Sequence, residues 1–225
     1  ISRAFVKILH QAGVDFAVLG TEESSTGDAA KRAGNEFLFQ MQAMMNIEIL
    51  NGYEVKKIVT CDPHSFNTFK NEYPSLGGKY EVFHHTQFIQ NLISEGRLKL
   101  EKTTFKGKRV TFNDPCYLGR ANDVYESPRD LIKRLGVNLT EMKRNKATAL
   151  CCGAGGAQMF KDAEKGDKEI NILRTEDALE TKPNIIATGC PYCKTMMTDG
   201  IKFKQKETQV IVKDIAELIA EANHL

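Results

Sequence analysis

Neither sign of charge dominates this sequence. Its 225 residues carry 31 Lys and Arg against 29 Asp and Glu, a formal net charge of +2. The basic residues are mixed with acids, so no nucleic-acid footprint stands out. Long apolar runs are missing as well. The longest uncharged stretch, Ala147 to Phe160, is interrupted by glycines and falls short of the roughly 20 apolar residues a spanning helix needs. No signal-peptide pattern opens the chain. The expectation is a soluble, cytoplasmic protein, with peripheral docking on a membrane complex through a partner left open. Cysteine is scarce: the chain has six, too few for a disulfide scaffold.

What is present reads as an α/β protein. Hydrophobic residues make up 41% and charged residues 27%, which gives a real core in one large domain or two small ones. Short apolar runs suggest strands at Asp15 to Gly20, Lys57 to Thr60, Tyr80 to Phe83, Arg109 to Asn113, Ala147 to Leu150, Asn184 to Thr188 and Gln209 to Val212. Helices are expected over Ile1 to His10, Ala29 to Leu50, Asn67 to Tyr73, His85 to Glu95, Pro128 to Leu135, Glu164 to Leu179 and Asp214 to Asn223. Strands alternating with helices indicate a mainly parallel sheet.

The two halves resemble each other. SRAFVKIL at 2 to 9 pairs with PRDLIKRL at 128 to 135, which sets Arg3 against Arg129. FAVLG and SSTG pair with TALCCGAGG, so Ser24 and Ser25 stand opposite Cys151 and Cys152. KKIVTCDPHS at 56 to 65 pairs with NIIATGCPYC at 184 to 193. Cys61 to His85 and Cys190 to Asp214 both span 24 positions, which sets His85 against Asp214. The reading is two tandem Rossmann-like lobes related by duplication, 1–104 and 105–225. The first lacks a counterpart of the Val110 to Ser127 segment, so an N-terminal piece is expected to be missing.

Five of the six cysteines fall in the second half as Cys116, Cys151-Cys152-Gly153 and Cys190-x-x-Cys193. Each group follows an expected strand, and the carboxyl ends of parallel strands line one crevice. Thiolates are soft donors that select iron–sulfur clusters, zinc or copper(I). Zinc usually takes four ligands, fewer than the five available. Dithiol exchange through Cys190 and Cys193 would use only two. All three readings stay open on the residues alone, with iron–sulfur the leading one.

The motif, with NDPCYLGRANDVYESPR and CCGAGGAQMF around it, resembles the CCG (cysteine-rich) domain found in the B-type component of heterodisulfide reductase and in related iron–sulfur oxidoreductases. The resemblance implies a noncubane-type 4Fe-4S cluster held by Cys116, Cys151, Cys152, Cys190 and Cys193. It implies an oxidoreductase component that passes electrons to a disulfide, quinone or dehydrogenase partner. The redox partner would be a ferredoxin-domain protein or a flavoprotein. The alternative is a non-catalytic zinc-binding interaction or assembly protein. In the first lobe Ser24, Ser25 and Ser65 stand where the family has cysteine, so that lobe is expected to have lost its cluster.

His84 and His85 read as hydrogen-bonding residues at a helix start, with a site between the lobes facing His64 and His85 as the competing reading. Met41, Met44 and Met45 read as core. Arg129 reads as a salt-bridge residue, Arg120 and Arg174 as candidates for binding an anion, and Asp114-Pro115 as a turn. No catalytic residue is singled out.

Overall fold

The computed structural model describes residues 1–162 and 165–225. Nine α-helices are found among the described residues: α1 Ser2–Gln11, α2 Asp28–Arg32, α3 Glu36–Gly52, α4 Pro63–Asn67, α5 His85–Ser94, α6 Glu126–Arg134, α7 Ile170–Glu180, α8 Pro191–Phe203 and α9 Ile215–Ala222. The strands are β1 Lys57–Thr60, β2 Glu81–His84, β3 Arg109–Phe112, β4 Asn138–Leu139, β5 Ile185–Thr188 and β6 Ile211–Asp214. All pairing is parallel. β1 and β2 form one sheet; the other runs β4-β3-β5-β6.

The second sheet is covered on both faces, as parallel strands require. Ile185 and Ala187 of β5 point into a core built from α1, α5, α6 and α9. Ile186, between them, packs with Ala178, Met197 and Ile201 of α7 and α8. That period of two makes β5 apolar at its first three positions. The larger core draws on both halves, with Phe5, Ile8 and Ile89 meeting Leu131, Ile132 and Ile219.

Several expectations need correction. Asp15 to Gly20 is not a strand; it is irregular and ends in a 3-10 turn at Gly20–Glu22. Ala147 to Leu150 is not a strand either, since Lys146–Thr148 is a 3-10 turn and Ala149-Leu150 joins no sheet. Apolar runs of this length form strands only where a ladder partner is available. The helix expected over Ala29 to Leu50 divides into α2 and α3, where Gly34 takes φ +86° and Asn35 caps α3 through Leu38 N–H. The helix expected from Glu164 begins at Ile170, and Glu164 itself lies outside the described residues. Helix α8, following Pro191, was not expected. The methionines are not core: Met41, Met44 and Met45 are exposed on α3 along with Phe37.

The repeat register also shifts. Helix ends and buried positions set α1 against α6 so that Ile8, Leu9 and Ala12 match Leu131, Ile132 and Leu135. Arg3 is therefore no counterpart of Arg129; it is exposed, whereas Arg129 is buried. Strand ends set His84, not His85, against Asp214. Each of these two residues precedes a helix, α5 or α9, whose third residue caps it by accepting the backbone N–H, Gln87 from His84 and Glu217 from Asp214. Such boxes satisfy donors that a helix start leaves free.

His84 is fully buried. Its Nε2–H donates to Gly189 O at 3.0 Å and its Nδ1 accepts from Thr86 Oγ1 at 2.7 Å. Burial, with His85 alongside, holds it well below its ordinary value of 6.5. The unfolded chain then binds a proton that the folded chain refuses. Stability is thus full above about pH 6.5 and falls as the pH drops below it. Replacing His84 with Asn should flatten that fall by up to about 1.4 kcal/mol per pH unit, read as urea unfolding at several pH values; an unchanged slope would refute the assignment. Gly200 supplies a second test. A Cβ there would lie 1.9 Å from the buried Thr175 Oγ1, between α7 and α8. Alanine adds about 1 kcal/mol of helix propensity, but overpacking costs about 1–3 kcal/mol. Gly200→Ala should therefore lower the denaturation midpoint, and a raised midpoint would contradict this packing.

Candidate metal centre

Three chain segments bring the five cysteines together. Cys116 follows β3 across the turn Asn113-Asp114-Pro115. Cys151 and Cys152 lie in the irregular segment before α7. Cys190 follows β5 and is the N-cap of α8, with Pro191 at the first helical position and Cys193 in the first turn. Cys152, Cys190 and Cys193 are buried; Cys116 and Cys151 are half-buried. All six cysteines are free thiols, and Cys61 sits apart, packed against the main core.

The thiols act on one another in sequence, Cys116 on Cys151, Cys151 on Cys152, Cys152 on Cys193 and Cys193 on Cys190. Cys151 is held far below the ordinary thiol range, first by the Cys116 and Cys152 thiols and then by the Gly153 and Gly155 N–H groups. The Gly153 N–H lies 3.3 Å from its sulfur. Gly153 takes φ +95°, a backbone conformation that favours glycine. The two thiols beside Cys151 move the other way. Hydrogen bonding to Cys151 pushes Cys152 up to about 12, and the same interaction raises Cys116. Among the described residues no three His, Cys, Asp or Glu side chains close on one single-ion position. The sulfurs form a linked chain instead.

The surroundings favour negative charge. Cys190 and Cys193 sit at the N-terminus of the 13-residue helix α8, whose free N–H groups and dipole stabilise anions. Arg174 is fully buried. It donates to Asn113 Oδ1 at 2.8 Å and to Arg144 O at 2.7 Å, yet its Nη2 has no partner among the described residues. Burial lowers its pKa, while Asp177, Asp114 and Cys193 act on it as counter-charges. Arg120 donates to Ala149 O, just before Cys151, and so braces the loop. Both arginines were candidates for an anion; Arg120 serves the backbone, and Arg174 has one nitrogen without a partner among the described residues.

The first half contributes Pro63 and His64 to the lining of this cleft. His64 lies with Cys116, Cys152, Cys190 and Cys193 around a narrow cavity. Its ring stacks on Tyr117 at 4.1 Å and meets Tyr192 edge-on at 5.6 Å. Asp28 Oδ2 accepts from Nδ1 at 2.8 Å. Burial alone would raise Asp28, but His64 and Arg32 hold it below the usual carboxylate range. His85 does not reach the cleft; its Nε2 pairs with Asp214 at 3.0 Å in the core. Of the expected site between the halves, the His64 part stands and the His85 part does not. Asp28, Tyr117 and Tyr192 carried no signal in the sequence, because only the meeting of the halves makes them neighbours.

In the first half the corresponding positions are spent on hydrogen bonds. Ser24 donates to Asn46 at 2.7 Å, and Asn46 donates to Ser25 O and to Tyr73. By strand register Asp62, not Cys61, stands opposite Cys190. It caps α4 by accepting from His64 and Ser65 N–H, and the Ser65 hydroxyl bonds the same carboxylate.

Arg129 bridges the loops of the second half. It binds both Asp114 oxygens at 2.7 and 2.9 Å and Glu141 at 2.7 Å. Asp114 also accepts from Lys146 N–H at 2.8 Å. The Cys116 turn and the segment leading to Cys151 are thereby tied together, so Asp114 does more than form a turn. Arg129→Met leaves Asp114 buried and unpaired and should cost about 3–5 kcal/mol of unfolding free energy. Adding Asp114→Asn should recover a large part of it. Equal stabilities in denaturant titrations would show the pair to be unimportant.

The cysteine-rich domain (CCG) family model matches residues 1–70 and 110–198. The chain belongs to that family. It is 48% identical over 223 residues to the probable iron-sulfur-binding oxidoreductase FadF of Bacillus subtilis, covering 99% of this chain and 31% of that protein. It is 42% identical over 228 residues to the EtfAB:quinone oxidoreductase of Syntrophomonas wolfei, covering 99% and 32%. Against the D component of the dihydromethanophenazine:CoB–CoM heterodisulfide reductase of Methanosarcina barkeri it is 35% identical over 227 residues, covering 96% and 53%. The chain thus spans about a third of the bacterial relatives and about half of the archaeal one. Among the described residues no helix is long and apolar enough to cross a membrane.

Proposed function

We propose, with family membership as the premise, that this chain is the iron–sulfur module of an electron-transferring oxidoreductase. Residues 105–225 are the cluster-binding lobe and residues 1–104 a companion lobe without a cluster. Cys116, Cys151, Cys152, Cys190 and Cys193 are the ligands of a 4Fe-4S cluster of the noncubane type. The observation that carries this reading is the convergence of Cys116, Cys152, Cys190 and Cys193 on one narrow cavity, with Cys151 acting on Cys116 and Cys152, at the N-terminus of α8. The relatives' names, which speak of iron–sulfur binding, quinone oxidoreduction and heterodisulfide reduction, support it further.

The donor set fits such a group. Thiolates are its usual ligands, and N–H groups bonded to sulfur tune its potential. When bound, the cluster supplies one-electron chemistry. The protein's part is to hold and shield it. Gly153 N–H bonds the Cys151 sulfur, Arg174 offsets anionic charge from within the core, and α8 aims its N-terminus at two ligands. Tyr117, Tyr192 and His64 wall the cleft. Its electron donor would be a ferredoxin-domain protein or a flavoprotein. The acceptor would be a quinone, disulfide or dehydrogenase partner, reached by peripheral docking where that partner lies in a membrane.

Zinc is the second reading. Purification without oxygen, followed by metal and sulfide analysis and EPR, separates the two. About four iron and four sulfide per chain are expected. Cys152→Ser, Cys190→Ser and Cys193→Ser should each lose most of the iron, while Cys61→Ser should keep it. One zinc per chain with no EPR signal after oxidation would overturn the proposal.

A further inference from the structure

His64 stands in the first half where Tyr192 stands in the second. β1 ends at Thr60 and β5 at Thr188, so Pro63-His64 matches Pro191-Tyr192 position by position. Each pair opens a helix, α4 or α8. Both rings line the same cleft, where they meet edge-on at 5.6 Å. The second half brings Cys190 and Cys193 to that cleft, and the first half brings an imidazole.

The imidazole is fixed in place. It is 6% exposed, and one face stacks on Tyr117 at 4.1 Å between centroids. Asp28 Oδ2 accepts its Nδ1–H at 2.8 Å, and Oδ1 of the same carboxylate accepts from Arg32 Nε at 3.0 Å. An ionised carboxylate only accepts, so the hydrogen sits on Nδ1 and the neutral ring carries a lone pair on Nε2. That nitrogen has no hydrogen-bond partner among the described residues. Its edge of the ring faces Gly155, where a Cβ would lie 3.4 Å from Cε1 and 3.5 Å from Nε2. Gly155 belongs to the turn that carries Cys151 and Cys152. It lines the narrow cavity together with His64, Cys116, Cys152, Cys190 and Cys193. A buried polar atom normally has a partner. His84 shows the ordinary case, with both ring nitrogens bonded. His64 instead keeps its free nitrogen for the cavity that four sulfurs line.

We infer that His64, through Nε2, is a ligand of the metal group that the cysteines hold, with Asp28 as its positioning residue. The inference rests on the iron–sulfur reading above. Imidazole is an ordinary donor to iron, and it takes the place of cysteine on iron in some clusters. A ligating histidine characteristically donates its other ring N–H to a carboxylate, which fixes the tautomer and aims the ring. Asp28 does this for His64, and Arg32 holds Asp28 in turn. The ligand set then draws on both halves, with thiolates from the second and one neutral imidazole from the first. The first half, which has serines where the second has thiols, thereby takes a direct part in the centre.

The test uses the full chain, purified without oxygen and reconstituted with iron and sulfide, so that metal content and ligation are read separately. Chain carrying nitrogen-15 only in its five histidines is compared with unlabelled chain by pulsed EPR in a paramagnetic redox state. A directly bound histidine nitrogen should give a strong coupling that changes with the label. The comparison is made on the parent chain, so it does not depend on the folding of a variant. His64→Gln should lose the coupling while the iron stays bound to the cysteines. His10→Gln, at an exposed position of α1, should keep it. Asp28→Asn should also keep the coupling, but should lose iron to a chelator about tenfold faster than the parent. Iron and sulfide bound without any histidine coupling would overturn the inference and leave the iron–sulfur reading standing. A coupling that survives His64→Gln would overturn it as well. A chain that takes up neither iron nor sulfide would overturn the iron–sulfur reading, and the inference with it.

Discussion

The double-sided burial of β5 is the constraint on which the rest of the structure depends. A strand covered on both faces must be apolar at every position, and Ile185-Ile186-Ala187-Thr188 comes close to that demand. Its alternate residues join two cores, one shared with α1 and α5 of the first half and one formed with α7 and α8. Where the strand ends, Gly189 is held by His84 from the first half, and the chain turns at once into Cys190 and α8. The position of two of the five cysteines thus follows from how a single strand is packed.

Polar contacts then fix what apolar packing leaves free. The Arg129–Asp114 pair, with Lys146 N–H on the same carboxylate, joins two of the three cysteine loops. Arg120 holds the backbone before Cys151, and Arg174 reaches Asn113 from α7. Arg129 and Arg174 are buried, and a buried guanidinium needs its partners in place. The arrangement ties the loops to one another through the interior rather than through their own length. Loops with so little regular structure would otherwise wander.

The two halves show one design put to different ends. Both place a helix start after a parallel strand and cap it with a third-residue side chain. In the second half the turns carry thiols. In the first, Ser24, Ser25, Asp62 and Ser65 hydrogen-bond within their own half, while Pro63 and His64 line the cysteine cleft. Exposed Phe37, Met41, Met44 and Met45 on α3 show that apolar composition alone does not place a helix face in a core.

Much of this was legible in the residues. Alternating strands and helices gave the fold class, and the spacing of Cys116, Cys151, Cys152, Cys190 and Cys193 marked the centre, because turns after parallel strands converge in any such sheet. Local patterns failed where the outcome depends on a neighbour. Asp15 to Gly20 and Ala147 to Leu150 have strand-like residues but no ladder to join. The repeat register was off because similar letters align several ways, while hydrogen-bond registers align only one. By itself the sequence determined the five-cysteine motif and the parallel sheet. Only the tertiary structure decided that His64, Tyr117 and Tyr192 share the cleft, that Asp28 pairs with His64 and that Arg174 is buried with one nitrogen unpartnered among the described residues. Those facts depend on distances between residues far apart in the chain, which periodicity and spacing do not encode.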